Sequence, residues 1–224
     1  MTLARRSVLA GTAAAFLLPP AARADARRQS LVDQSLGTAR KVLTGTDFPD
    51  ALKLMPKARG VLIMPELVQG GFIIGAAGGR GVLVSRTGPG NWSYPAFYGM
   101  GSGSVGLQVG AKVSEITFIV LTDKGLQALL DHKFKVGAEA GVTMVAVGAG
   151  FEGATTAAAG TDIVAFANSN GLFAGVSLEG SYIDADNDWN ALYYGQGATG
   201  RSIVVDRRYS NPGAEPIRQF FARW

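Results

Sequence analysis

The sequence predicts an α+β domain: a mainly antiparallel, glycine-rich, curved β-sheet or barrel-like core with an amphipathic helix before it, short helices between strands and a helix at the end. Three observations point there. From Gly60 onward apolar residues recur at every second position, the period of a strand with one face turned inward. Glycine accounts for 31 of 224 residues, well above the usual share of about 7%. These glycines sit inside apolar, β-branched segments, where glycine marks close backbone approach, a bulge or a bend. At both ends of the chain the apolar period changes to that of a helix.

The elements follow in order. Residues 28–44 gather Leu31, Val32, Leu36, Ala39, Val42 and Leu43 on one side, with Arg28, Asp33, Arg40 and Lys41 elsewhere, and Gly45 ends the helix. Asp50 to Pro56 is expected to form a second, short helical turn. Val61 to Met64 reads as a strand closed by Pro65. Gly70 to Ala77 and Gly81 to Ser85 read as a hairpin turning at Gly78-Gly79-Arg80. Residues 104–113 alternate, and Glu115 to Leu121 is an apolar strand. Asp123 is expected to cap a helix through Leu130. A second alternating segment covers 134–150, with further strands at 161–167 and 172–179. Asn187 to Tyr194 suits a short helix stopped by Gly195. Residues 215–223 suit a final helix, with Pro216 at its start and Ile217, Phe220 and Phe221 on one face.

Residues 1–24 have the organisation of an export signal. Arg5 and Arg6 precede an apolar run from Val8 to Leu18, and Ala22-Arg23-Ala24 supplies a small-x-small cleavage pattern. Cleavage is expected near Ala24 or Ala26, delivering the mature chain to the periplasm. The run is shorter than the roughly 20 residues a membrane-crossing helix needs, and Pro19-Pro20 ends it. Arg5-Arg6-Ser7-Val8-Leu9 resembles the twin-arginine export motif. The rest of the chain divides into a helical segment at 25–56, a β-rich domain at 57–195 and a C-terminal extension at 196–224.

Charge narrows the partners. The full chain carries 21 basic and 17 acidic residues, but removing Arg5, Arg6 and Arg23 with the signal leaves 18 against 17. A nucleic-acid binder should show a basic surplus on its folded domain, and this one has almost none. Cysteine is absent, which rules out disulfides, thiol chemistry and cysteine metal sites.

The catalytic inventory is thin, and the chain reads as a non-enzyme without a cofactor. His132 is the single histidine, so any serine triad would have to use it. It follows Leu130-Asp131 on a polar stretch where a surface residue is expected. Asp184, Asp186 and Asp188 alternate like the opening of a calcium loop. The sixth position is then Trp189 instead of glycine, and the twelfth is Gly195 instead of glutamate. A turn capping the next helix is the stronger reading. Gly78-Gly79-Arg80-Gly81 and Gly101-Ser102-Gly103-Ser104 lack the lysine and Ser/Thr of a phosphate-binding P-loop, and read as tight turns.

Several strings occur in an order that resembles the SYLF domain, a lipid-binding family. They are Lys57-Ala58-Arg59-Gly60, Gly70-Gly71-Phe72, Gly81-Val82-Leu83, Asn91-Trp92-Ser93 and Pro95-Ala96-Phe97. Gly103-Ser104-Val105-Gly106 through Gly110 follows, then Gly171-Leu172-Phe173-Ala174-Gly175 through Gly180, and Asn190 with Tyr193-Tyr194-Gly195. The resemblance covers 57–195. It implies a non-enzymatic domain that binds phospholipid, partly through an amphipathic N-terminal helix and nearby cations; eukaryotic members bind phosphoinositides and some fungal members bind actin. Carried to this chain, it makes Arg28, Arg40, Lys41, Lys53, Lys57 and Arg59 candidate contacts for anionic phospholipid, with Leu31, Val32 and Leu36 on the inserting face. The same apolar face is equally suited to packing on the sheet. Val147-Gly148-Ala149-Gly150-Phe151 stands where eukaryotic relatives carry a Gly-Pro-x-Gly-Arg string, so no basic contact is expected there. A protein-binding or self-assembling envelope module is the competing expectation, and a hydrolase the least favoured.

Overall fold

A computed structural model describes residues 20–71, 74–105, 110–131, 133–137, 144–148, 158–169 and 180–224. Helices α1 (Pro20–Thr44) and α2 (Ala51–Leu54) lead into a 3-10 turn at Met55–Lys57. Strands β1 (Gly60–Gly71), β2 (Ile74–Gly88), β3 (Asn91–Trp92), β4 (Ala96–Val105) and β5 (Gly110–Val120) follow. Helix α3 (Asp123–Leu130) precedes β6 (Phe134–Lys135), β7 (Met144–Gly148), β8 (Ile163–Ser169) and β9 (Tyr182–Ala185). The chain closes with α4 (Asn187–Tyr194), α5 (Gly200–Val204) and α6 (Glu215–Phe221). The strands form one curled half-barrel sheet in the order β6-β9-β4-β2-β1-β5-β8-β7, with β3 paired to β2. The described pairs are antiparallel except β7 with β8. The predicted fold class is the observed one.

Val61, Leu62, Ile63 and Met64 are all fully buried. Alternate strand residues point to opposite faces, so an unbroken apolar run means that both faces are covered. Val61, Ile63, Val82, Val84, Phe97, Ile119 and Phe166 face a core closed by α1, α2 and α6. Leu62, Met64, Leu83, Tyr98, Phe118 and Val120 face a second core closed by α3 and α5. The α1 face supplies Val32, Leu36, Ala39, Val42 and Leu43 to the first core.

Four local expectations are corrected. Gly78-Gly79-Arg80 is no turn: β2 runs straight through it, paired with β1 on one side and β4 on the other. Nor does Pro65 close β1. The strand bulges between Ile63 and Glu66 and continues to Gly71. That bulge explains the glycines. A β-carbon on Gly79 would collide with the Glu66 carbonyl, and one on Gly81 with the Ile63 carbonyl, so only glycine lets β2 approach there. Gly101 to Ser104 likewise lie within β4, opposite Gly78 to Gly75. At α3 the cap is Thr122, whose side chain accepts from the Gly125 amide, while Asp123 is the first helical residue. The strand expected at 172–179, and residues 138–143 and 149–150 of the segment expected at 134–150, lie outside the described residues.

Two polar latches fasten the C-terminal helices. Asn190 is fully buried; its Oδ1 accepts from the Phe97 amide at 2.7 Å and its Nδ2 donates to the Phe97 carbonyl at 3.2 Å. The side chain thereby acts as a strand partner for the first turn of β4. Glu215 opens α6 and accepts from the Tyr94 hydroxyl at 2.8 Å and from Arg218 at 2.6 and 2.9 Å. Its Arg218 partner holds the carboxyl down at about 2, from an ordinary 4.5. Beyond α6, the Trp224 carbonyl accepts from Trp92 Nε1 at 3.1 Å and from the Gly90 amide at 2.8 Å.

Asn190→Ala leaves the buried Phe97 amide unpaired and should lower unfolding free energy by about 1–3 kcal/mol in a urea titration. A depressed carboxyl stabilises fully above its unfolded value and loses that contribution as pH falls through the folded one. The Glu215 latch therefore weakens between 4.5 and about 2. Glu215→Gln should flatten the acid limb of stability across that window, read as the melting temperature against pH.

Candidate functional site

The six cations expected to meet lipid occupy different settings. Arg28 is buried to 4% exposure and donates to Asp25 at 2.5 Å. Arg40 is exposed and lies 5.9 Å from the Phe220 ring. Lys41 pairs with Glu115 at 2.7 Å, and Lys53 with Asp50 at 2.7 Å. Arg59 meets Asp123 at 3.3 Å, a pair whose members are both exposed. Lys57 is exposed. Of the three apolar candidates, Val32 and Leu36 are buried in the first core, whereas Leu31 is partly buried against it.

What the backbone brings together is the corner formed by α2, the 3-10 turn and the start of β1. Ala51, Leu54, Met55 and Ala58 are buried there, while Leu52, Lys53, Pro56 and Lys57 are exposed. Leu52 with Pro56 and Lys53 with Lys57 are four residues apart, neighbours on one helical side. Leu52 keeps 46% of its surface exposed, one of six large apolar side chains exposed among the described residues. An exposed leucine beside lysines is an arrangement suited to the membrane interface.

Behind this corner lies a pocket of about 460 Å³ between the 3-10 turn and the β2–β3 turn. Lys57, Arg59 and Arg86 line it and no acidic residue does. Arg86 is held by neutral acceptors: its Nη1 donates to the Pro56 carbonyl at 2.9 Å and the Met55 carbonyl at 3.3 Å, and its Nε to the Gly88 carbonyl at 3.2 Å. The pocket wall is rigid, because the Arg59 amide donates to the Val120 carbonyl at 2.7 Å and the Arg86 amide to the Arg59 carbonyl at 2.8 Å. Sequence reasoning missed Leu52 and Arg86. For Leu52 the four-residue spacing of Leu52/Pro56 and Lys53/Lys57 was the available signal.

A broader open groove of about 1400 Å³ crosses the glycines of β2 and β4 beside Arg80, Tyr182 and Trp189. Asp184, Asp186 and Asp188 border it. Asp186 caps α4 by accepting from the Trp189 amide at 3.1 Å, and its other oxygen binds Arg80 Nε at 2.8 Å. The Asp184 side chain accepts from the Ala185 amide. Among the described residues no group of three or more histidine, cysteine or acidic side chains is placed to hold a metal. His132 lies outside the described residues. No described helix is long and apolar enough to cross a membrane.

A curled antiparallel sheet between two helical layers, with exposed cations gathered at one corner, defines the class of domain. A family model described as "Ysc84: Las17-binding protein actin regulator" matches residues 101–223, more than half of the chain. The chain belongs to this family, whose domain is called SYLF. It is 31% identical over 172 residues to LAS seventeen-binding protein 3 of Saccharomyces cerevisiae, covering 75% of this chain and 37% of that protein. Protein YSC84 of the same yeast is 28% identical over 203 residues, covering 89% and 43%. The human SH3 domain-containing YSC84-like protein 1 is 30% identical over 158 residues, covering 69% and 46%. The chain thus spans less than half the length of these relatives.

Proposed function

We propose that the chain is a non-enzymatic module that binds anionic phospholipid at the bacterial cell envelope, making contact through the α2 corner. The observation that carries this reading is the exposed Leu52 set among Lys53, Lys57 and Arg59. Cations near a membrane surface are each worth about 1 kcal/mol against anionic lipid, and a buried leucine adds its transfer energy. Membership of a family whose domain binds lipid supports the same reading. Residues 1–24 serve as the export signal, read by the twin-arginine route, and the mature chain works in the periplasm.

A second reading is a protein-binding or self-assembling module. It is favoured by the family's description as a Las17-binding actin regulator and by the name of the yeast relative LAS seventeen-binding protein 3. The relatives are proteins of which this chain spans less than half.

Two measurements check the proposal. The purified protein should co-sediment with phosphatidylglycerol vesicles and be released by salt, because exposed charges are screened over about 10 Å at 0.1 M. Leu52→Ser should lower the partition coefficient by about tenfold, the loss expected for one inserted apolar side chain. No sedimentation of folded protein at low salt overturns the reading. For export, the protein recovered from the periplasm should begin after Ala24 or Ala26, and Arg5→Lys with Arg6→Lys should leave the precursor inside the cell.

A further inference from the structure

We infer that the pocket lined by Lys57, Arg59 and Arg86 is a specific binding site for a phosphate group, carried either by a phospholipid headgroup or by a soluble phosphate. The lipid form of this inference rests on the membrane reading above; the soluble form does not.

The argument starts from Arg86. A guanidinium next to a carboxylate is largely neutralised. Here the acceptors are instead the carbonyls of Met55, Pro56 and Gly88. They fix the plane of the fork and leave its formal charge in place. With Nε and Nη1 taken by these carbonyls, Nη2 is the nitrogen left to donate to a ligand; the charge is uncompensated and little rotamer freedom is left to lose, which suits recognition of phosphate. Trp92 lies on its far side, with the ring centre 6.0 Å from the guanidinium carbon.

Lys57 and Arg59 complete the set. Arg59 Nε lies 3.3 Å from the Asp123 carboxylate, which is 75% exposed. Such a solvated pair contributes little, so an incoming dianion displaces it at small cost. Three cations around a pocket with no acidic lining reject cations and make an apolar occupant unfavourable. The volume, about 460 Å³, lies within the range of ligand pockets, about 300–1,000 Å³. It admits a phosphate together with the first atoms of its ester.

Position also matters. The pocket shares Pro56 and Lys57 with the exposed corner. A lipid headgroup phosphate would be gripped at the place where Leu52 enters the interface. The corner then supplies attachment to the surface, and the pocket supplies recognition of one headgroup.

The test uses the purified protein and two probes. In the first arm, inorganic phosphate is titrated at constant ionic strength with chloride as the balancing anion, and amide shifts are followed by NMR. Saturable shifts are expected at Lys57, Arg59, Thr87 and Gly88. The double variant Lys57→Gln/Arg59→Gln, whose side chains are exposed and whose melting temperature should match the parent, should weaken phosphate binding by at least about tenfold. In the second arm, the same variant and Leu52→Ser are compared on phosphatidylglycerol vesicles.

Saturable phosphate binding with reduced vesicle binding by the double variant supports a headgroup site. Saturable binding with vesicle binding unchanged supports a soluble phosphate as ligand. Should phosphate cause no saturable shift while vesicle binding persists and falls in Leu52→Ser, the pocket inference is overturned and the membrane reading stands. Phosphate binding without any vesicle binding removes the membrane reading and leaves the pocket.

Discussion

Strand β1 must serve two interiors at once, and most of the architecture follows from that demand. Val61 and Ile63 belong to one core, Leu62 and Met64 to the other, and all four are fully buried. A strand of this kind needs a covering layer on each face. Helices α1, α2 and α6 supply one layer and α3 with α5 the other. The chain has no cysteine with which to staple these layers. Their hold is therefore burial, supplemented by the Asn190 and Glu215 latches that fasten α4 and α6. The bulge after Ile63 and the glycines facing it are local consequences, since the strand keeps its place in the sheet only if β2 brings no side chain to Gly79 and Gly81.

The same constraint bears on the proposed membrane contact. Val32, Leu36, Val42 and Leu43 each gain about 1.5–3 kcal/mol from burial, on the order of 6–12 kcal/mol together. That equals the whole net stability of a typical domain, about 5–15 kcal/mol. Turning the α1 face to lipid would exchange one apolar setting for another, so the helix itself gains little. The sheet beneath it, including Val61, Ile63 and Phe166, would meanwhile be opened to water. With α1 committed to the core, an apolar contact with the interface falls to residues outside it. Leu52 is such a residue.

Much of this was legible in the sequence, and the parts that were not share a cause. The α1 face was readable because five residues repeat at helical spacing, and the terminal α6 because Pro216, Ile217, Phe220 and Phe221 fix both its start and its side. The glycines were visible but ambiguous. A glycine that permits a turn and one that permits close approach are the same letter, and only the register of β1 against β2 separates them. Leu52 and Leu54 are likewise indistinguishable until the phase of a single helical turn is fixed. Lys57 and Arg59 were found through the family string they belong to. Arg86 carries no signal, because its role depends on the Met55 and Pro56 carbonyls, which lie near it only after β2 has paired with β1 and the 3-10 turn has closed over both.

The basic pocket inherits its rigidity from that pairing. Arg59 is tied to β5 through Val120 and to β2 through Arg86, so its backbone continues the ladder of the central strands. Arg86 is held from the opposite side by the 3-10 turn. Both side chains thus project from backbone that is tied to the end of the central ladder. Their preorganisation needs no element to shift on binding, and α1 can remain packed while the corner is occupied. A site of this construction gains affinity by losing little conformational freedom, and the cost of holding three like charges together is met by the burial that builds the sheet.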